Sequence, residues 1–280
     1  MSLTSPRSLG SPPSVLRRAL VVAALLAAGL HVSPVSGAEP AEPAEPDQPR
    51  TPTDAAAVFK WGRADWRDEF EVKGPPRDTW QINKPERAEN TKGMLSLESA
   101  RRGTVKALAT DQAARYGRWE ARVRARRFST NRTPYQVVWE LVPKRRYKCG
   151  SKSIVLADYV PGYGSAAGVV RTRPGNELDF GIDLDLSDDT FHTYAVEVTP
   201  DHVSWFVDTV VLHTERRPEA LSGTRLQPRF RLQATKGERM DHGRLQVDWV
   251  RYHDLDRPNQ QSIEAPEMTL STYDGACPPP

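Results

Sequence analysis

Apolar and charged side chains alternate with a period of two along much of this chain. The alternation is clearest in residues 118–125, 193–198, 203–207 and 244–250. Successive side chains of a β-strand point to opposite faces of its sheet, so the pattern predicts strands with one face on a core. Turn residues separate these segments and helical periodicity is scarce, which predicts an all-β sandwich or barrel. We expect Trp119, Trp205 and Trp249, which lie on these segments, to be core residues.

The first 38 residues are predicted to be a secretory signal peptide. Arg7, Arg17 and Arg18 give a positive start, residues 19–30 an apolar stretch, and residues 36–38 a small-residue cleavage site. The apolar stretch is shorter than the ~20 residues of a membrane-spanning helix. We therefore expect a secreted, extracellular protein with no transmembrane segment after cleavage. The alternative is an uncleaved membrane anchor.

The chain between the signal peptide and the strands is predicted to be a linker, residues 39–57. The tripeptide Ala-Glu-Pro occurs three times from residue 38, and proline at every third position favours an extended, solvated chain. The folded domain is expected at residues 58–256. Residues 257–280, which end in three prolines, are expected to be a C-terminal extension.

The formal charge argues against nucleic acid as a partner. The whole chain has 39 basic and 36 acidic residues, and the first 38 residues hold three of the arginines and no acid. Removal of the signal peptide therefore leaves 36 of each sign. Phosphate binding needs an excess of positive charge on one face, which a balanced chain does not indicate.

The chain has two cysteines, Cys149 and Cys277. Disulfides persist in exported proteins, so we expect these two to pair, which would hold the C-terminal tail beside the domain. The alternative is two free thiols. No Cys/His spacing typical of a structural zinc site is present in the sequence.

Four segments, in order, resemble glycoside hydrolase family 16. They are residues 66–70 (WRDEF), 117–123 (GRWEARV), 191–208 (FHTYAVEVTPDHVSWFVD) and 247–252 (VDWVRY). The order and spacing of the four carry the resemblance, since no single motif is unique. The resemblance implies a concanavalin A-like jelly roll, in which two antiparallel sheets form a sandwich and a concave face holds a polysaccharide.

The catalytic strand of that family reads Glu-Ile-Asp-Ile-Met-Glu. A retaining glycosidase needs two carboxyl groups about 5–5.5 Å apart, one as nucleophile and one as acid/base. The matching residues here are Ser153 at the nucleophile, Val155 at the assisting aspartate and Asp158 at the acid/base. Only one of the three positions keeps a carboxylate, so loss of the usual reaction is expected.

The preceding strand also departs from the family, because Gln136 and Glu140 stand where it has cleft tryptophans. Glu140 could form a replacement acid pair with Asp158. The alternative is that Glu140 is ion-paired with nearby cations in the sequence, which would lower its pKa. Those cations are Lys144, Arg145, Arg146, Lys148 and Lys152. The expected ligand face is completed by three aromatic residues, namely Trp80, Tyr159 and Tyr163.

Three functions are left open. The first is a secreted protein that binds polysaccharide or cell-envelope glycan with little or no hydrolase activity. The second is an active O-glycosyl hydrolase or transglycosylase with a rearranged carboxylate pair, and the third is a non-catalytic structural or protein-interaction sandwich. We expect a monomer without a cofactor. By resemblance, Glu69 and Asp248 are the candidate ligands of a structural calcium ion.

Overall fold

Strands make up nearly all of the regular structure. The structure, a computed structural model, describes residues 53–145, 150–173, 177–184, 186, 190–217, 220–221 and 223–256. Within these residues the strands form two antiparallel sheets of eight and seven strands. The predicted all-β jelly-roll sandwich is therefore confirmed. No helix in this part of the chain is long and apolar enough to cross a membrane.

The eight-stranded sheet has the order β13-β12-β11-β6-β15-β4-β3, and β1 pairs with β15. Its strands are β1 (Trp66–Asp68), β3 (Ala88–Thr91), β4 (Met94–Glu98), β6 (Gly117–Arg127), β11 (His192–Val198), β12 (Val203–Val207), β13 (Val210–Glu215) and β15 (Gly243–His253). The seven-stranded sheet has the order β10-β9-β8-β7-β14-β5-β2. Its strands are β2 (Trp80–Ile82), β5 (Val105–Ala109), β7 (Gln136–Pro143), β8 (Gly150–Tyr159), β9 (Ser165–Arg173), β10 (Glu177–Asp183) and β14 (Leu226–Gln233). A short 3-10 turn, Pro85–Arg87, precedes β3.

The core lies between the sheets and is built from the alternating residues of both. On β6 the inward residues are Trp119 and every second residue after it, while arginines alternate on the other face. Trp119 and Trp205 belong to this core, and Trp249 is buried with the guanidinium of Arg251 over its ring, 4.0 Å from the ring centre. The core position expected for Trp119 and Trp205 is confirmed, because a half-buried strand exposes only one face. Trp249 is buried outside the core cluster, since the register of β15 against β6 shifts between Val247 and Trp249.

The packed part of the chain begins before residue 58, the expected start of the domain. A short helix, α1 (Ala55–Val58), is capped by the Asp54 side chain and lies on the eight-stranded sheet. The buried Glu120 carboxylate accepts hydrogen bonds from the backbone N–H groups of Ala55 (2.7 Å) and Ala56. The end of the expected linker is thus folded, because a distant carboxylate satisfies its free backbone donors. The signal peptide, most of the linker and the C-terminal extension lie outside the described residues.

Candidate functional site

One face of the seven-stranded sheet packs on the core, and the opposite one, here called the outer face, carries the residues singled out in the sequence. Residues directly opposite each other on neighbouring strands share a face. Strand pairing puts Val155 opposite Glu140, Asp158 opposite Val138, and Ser153 opposite Arg171. The outer face therefore brings together Ser153, Val155, Asp158 and Glu140.

An irregularity in β8 makes this grouping possible. Asp158 is three residues after Val155, so a regular strand would turn these two side chains to opposite faces. The register of β8 against β9 shifts between Val155 and Asp158, and both Leu156 and Ala157 belong to the core. A bulge of this kind inserts one extra residue and re-aims the side chains that follow it. Ser153, Val155 and Asp158 therefore all lie on the outer face.

The centre of the outer face is apolar. Val155, at the assisting-aspartate position, packs with Val138 of β7 and Val169 of β9 in a buried cluster of its own. The Val155 side chain is fully buried, and Ser153 is only 3% exposed. Three valines from three adjacent strands thus occupy the floor where a hydrolase would need polar groups.

Glu140 is held by two arginines of β14. Its Oε1 atom accepts hydrogen bonds from Nε of Arg231 at 2.6 Å and from Nε of Arg229 at 2.9 Å. Glu140 is only 1% exposed, and the arginine side chains are partly exposed beside it. A buried carboxylate whose oxygen is shared by two guanidinium groups has no open path to a ligand.

Asp158 is paired with an arginine as well, but less completely. Its Oδ2 atom accepts a hydrogen bond from Arg171 at 3.2 Å, and Arg171 also binds the exposed Glu177 at 3.0 Å. Its Oδ1 atom is buried without a hydrogen-bond partner in the described structure. Burial raises the pKa of Asp158, although the Arg171 guanidinium opposes the shift. Asp158 therefore takes up a proton more readily than a solvent-exposed aspartate does.

The described partners of Glu140 differ from the expected cations, of which Arg146 and Lys148 lie outside the described residues. The sequence suggested cations within twelve residues along the chain, whereas the actual partners are about ninety residues away. Antiparallel pairing of β7 and β14 puts Arg229 directly opposite Glu140. The signal available in the sequence was the spacing of two between Arg229 and Arg231, which places both on one face of a strand.

Two of the expected aromatic ligand residues are core residues instead. Trp80 is 4% exposed, and its indole N–H donates a 2.9 Å hydrogen bond to Oδ2 of Asp68. Tyr159 follows the bulge by one residue and therefore points inward, where it is 5% exposed and close to Tyr194. Both residues are buried for the same reason. A large aromatic ring stabilises the protein more when it is packed in the core than when it is exposed on the surface.

The other expected ligand residues are accessible. Tyr163 is 56% exposed in the turn between β8 and β9. Gln136 is exposed at the start of β7, opposite Gln233 of β14. These polar side chains lie towards one end of the strands, away from the paired charges of Glu140.

The residues present do not fit a calcium ion. Glu69 is paired with Arg251 at 3.1 Å and Asp248 with Arg122 at 2.7 Å. Calcium needs six or more oxygen ligands, about 2.3–2.6 Å away. The described residues contain no group of three or more His, Cys, Asp and Glu side chains that could hold a metal. Cys149 and Cys277 lie outside the described residues, so their disulfide stays a prediction.

Solved structures similar to this chain are glucanases. No protein-family model and no curated protein matches it. A laminarinase from Rhodothermus marinus superposes with a TM-score of 0.59 at 18% identity, over 69% of this chain and 97% of the other. The LamAcat domain from Zobellia galactanivorans gives 0.57 at 12% identity, over 70% and 99%.

A third similar structure carries the family name. SCLam, a non-specific endo-beta-1,3(4)-glucanase from family GH16, has a TM-score of 0.59 at 14% identity, over 69% of this chain and 91% of the other. At sequence identities this low, the similarity is one of backbone architecture, which agrees across the sandwich. The chain therefore has the jelly-roll fold of glycoside hydrolase family 16.

Proposed function

We propose that this chain is a secreted polysaccharide-binding protein that has kept a glucanase scaffold and lost retaining hydrolysis. The observation that carries the proposal is the state of the carboxylates on the outer face. At the three positions of the catalytic strand only Asp158 is acidic, and the nearby Glu140 is enclosed by Arg229 and Arg231. A retaining reaction needs an exposed carboxylate nucleophile in addition to an acid.

Ser153 does not replace that nucleophile. A serine hydroxyl attacks only when a neighbouring base takes its proton. Ser153 is nearly buried, and the side chain opposite it across the strands is the cation Arg171. A guanidinium remains protonated and cannot act as that base. The centre of the outer face therefore lacks an activated nucleophile.

Loss of a glutamate is compatible with glycan binding in this fold. Three of the similar structures are glutamate-to-serine mutants crystallised with gluco-oligosaccharides. Two of them present a 1,3-beta-D-cellobiosyl-glucose at the active site, and the third is in complex with laminaritriose and laminaritetraose. By analogy, a natural serine at Ser153 supports retention of binding after the reaction is lost.

The test measures binding and hydrolysis on the same preparation. Affinity electrophoresis and isothermal titration calorimetry would use laminarin, mixed-linkage glucan, agarose and chitin oligosaccharides, and a reducing-end assay would follow the same substrates. We expect at least one glycan to retard the protein in electrophoresis or to give a heat of binding in calorimetry. We expect no glycan to release reducing ends. Absence of binding to these glycans, and to anionic polysaccharides added to the same assay, would instead favour a structural or protein-interaction role.

One observation favours a second candidate, a hydrolase with a rearranged acid pair. Asp158 has a raised pKa and a free Oδ1 atom, as a proton donor requires. In this case Glu140 would have to act as the second carboxylate. Turnover that is abolished separately by Glu140→Gln and by Asp158→Asn, while Glu177→Gln retains it, would establish this candidate.

A further inference from the structure

A cavity of about 540 Å³ lies where β7 ends and β14 begins. Its lining consists of Arg115, Lys144, Arg145, Gly223, Thr224 and Arg225. Four of these six residues are cations and none is acidic. The volume falls in the range of small-ligand sites, roughly 300–1,000 Å³. Like charges gathered around one concave space attract an anionic partner.

These charges are not neutralised within the described part of the chain. No carboxylate there lies within 4.0 Å of the side-chain nitrogens of Arg115, Lys144, Arg145 or Arg225. The arginines of the outer face differ, since Arg171, Arg229 and Arg231 each pair with an acid. Arg225 makes a hydrogen bond to the Ala113 carbonyl oxygen, which fixes its guanidinium at the cavity. Within the described residues, the four cations therefore keep their charge available for a ligand.

The cavity lies at one end of two paired strands, β7 and β14, that also carry part of the outer face. The backbone N–H of Lys144 donates a 2.8 Å hydrogen bond to the carbonyl of Arg225, directly beyond the last paired residues of β7 and β14. Arg229 follows Arg225 by four residues, which is about 13 Å along a strand. A polymer lying along β14 would reach both the cavity and the outer face.

We infer that this cavity binds the anionic groups of an acidic polysaccharide whose chain extends onto the outer face. The inference rests on the proposed polysaccharide binding and names its substrate class. Guanidinium groups bind the planar oxygens of carboxylates and the oxygens of sulfates through paired N–H donors. A polymer presents such groups repeatedly, so several weak, exposed contacts add together.

The test uses two triple variants of equal charge. The cavity variant carries Arg115→Gln, Lys144→Gln and Arg145→Gln, and Arg225 is left in place because it binds Ala113. The control variant carries Lys73→Gln, Arg77→Gln and Lys236→Gln, three exposed cations that do not line the cavity. All six side chains are exposed, and thermal unfolding of each variant checks that both fold.

Binding would be measured with dextran sulfate, polygalacturonate, dextran and laminarin. We expect the purified chain to bind at least one of the two anionic polymers, the preferred one identifying sulfate or carboxylate as the ligand group. The cavity variant should bind it about tenfold more weakly, while the control variant should change less than about twofold. Raising the salt concentration should weaken this binding and remove most of the difference between the variants.

Each other outcome has a definite meaning. Equal weakening in both variants would assign the binding to general charge and overturn the inference. Binding of laminarin without either anionic polymer would also overturn it, while leaving the proposed function intact. Failure to bind any glycan, including those of the neutral set, would remove the proposed function and the inference together.

Discussion

The indole N–H of Trp205 donates a 2.9 Å hydrogen bond to the backbone carbonyl of Val155. Trp205 belongs to β12 of one sheet and Val155 to β8 of the other, so this bond crosses the core. The carbonyl lies at the bulge that re-aims Asp158 to the outer face. A buried carbonyl left without a donor is costly, and the indole supplies that donor. A core tryptophan thus supports the geometry of the strand that carries Ser153, Val155 and Asp158.

Trp205→Phe should destabilise the protein by more than the loss of ring size alone. The substitution removes this hydrogen bond from a buried carbonyl, which adds about 1–3 kcal/mol to the free energy lost. The matched control is Trp119→Phe, because Trp119 is equally buried and its indole has no hydrogen-bond partner in the described structure. Urea unfolding of both variants measures the difference. Equal losses would show that the hydrogen bond has no net effect.

Glu140→Gln should also reduce the free energy of unfolding, by about 2–3 kcal/mol, because it removes a buried countercharge. Arg229 and Arg231 would then face each other without the carboxylate that both now share. Glu177→Gln is the control, since the Glu177 side chain is 56% exposed and its loss should cost less than about 1 kcal/mol. A Glu140 variant as stable as wild type would mean that the ion pairs contribute nothing.

Stability should fall as the pH rises from about 4.5 to about 8, in part because of Glu120. Burial raises the pKa of Glu120 to about 8, with Asp54 adding to the shift. Between these values the unfolded chain releases the proton and the folded chain keeps it. Stability is therefore complete below the unfolded pKa and is lost as pH rises through the folded one, by up to about 1.4 kcal/mol per pH unit.

Glu120→Gln should flatten this part of the stability curve, as measured by urea unfolding at several pH values. Glutamine keeps an oxygen that can accept the backbone N–H groups of Ala55 and Ala56. Glu197 provides the opposite case, because hydrogen bonds and charges from Arg118 and His202 lower its pKa. Its contribution is lost as the pH falls, so Glu197→Gln should leave the slope above pH 4.5 in place. An unchanged slope in the Glu120 variant would contradict the assignment.

Gly168→Ala should destabilise the seven-stranded sheet by about 1–3 kcal/mol, the usual cost of overpacking. The aromatic ring of Phe180 lies directly over Gly168, and an added Cβ would come within 2.2 Å of it. Phe180 cannot easily move aside, because it packs against Trp205 and His213. Gly181→Ala is the control on the neighbouring strand, since nothing lies within 4 Å of its added Cβ. Thermal unfolding midpoints compare the two variants.

The fold could be predicted from local patterns because the alternation of apolar and polar residues within a strand shows which of its faces is buried. The alternation around Trp119 and Trp205 identified the core face of two strands without any knowledge of their partners. The same patterns did not reveal that Trp80 is buried. Its position depends on Phe230 and Asp68, which approach it from other strands.

For the candidate site too, one part could be predicted from the sequence and another part depends on the fold. That Ser153, Val155 and Asp158 include a single carboxylate is a property of the sequence alone, and no arrangement of the backbone could restore the missing groups. Their common face was not determined by spacing, since Val155 and Asp158 are an odd number of residues apart. The bulge in β8 places Val155 and Asp158 on the same face and turns Tyr159 towards the core.

The sequence by itself determined the all-β sandwich and the absence of a carboxylate at Ser153 and Val155, because side-chain identity and period-two burial are local properties. Only the tertiary structure decided what the remaining carboxylates do. Arg229 and Arg231 reach Glu140 through pairing between strands far apart in the chain, and Arg171 reaches Asp158 across β9. Electrostatic interactions depend on distances in space, and sequence separation does not contain those distances.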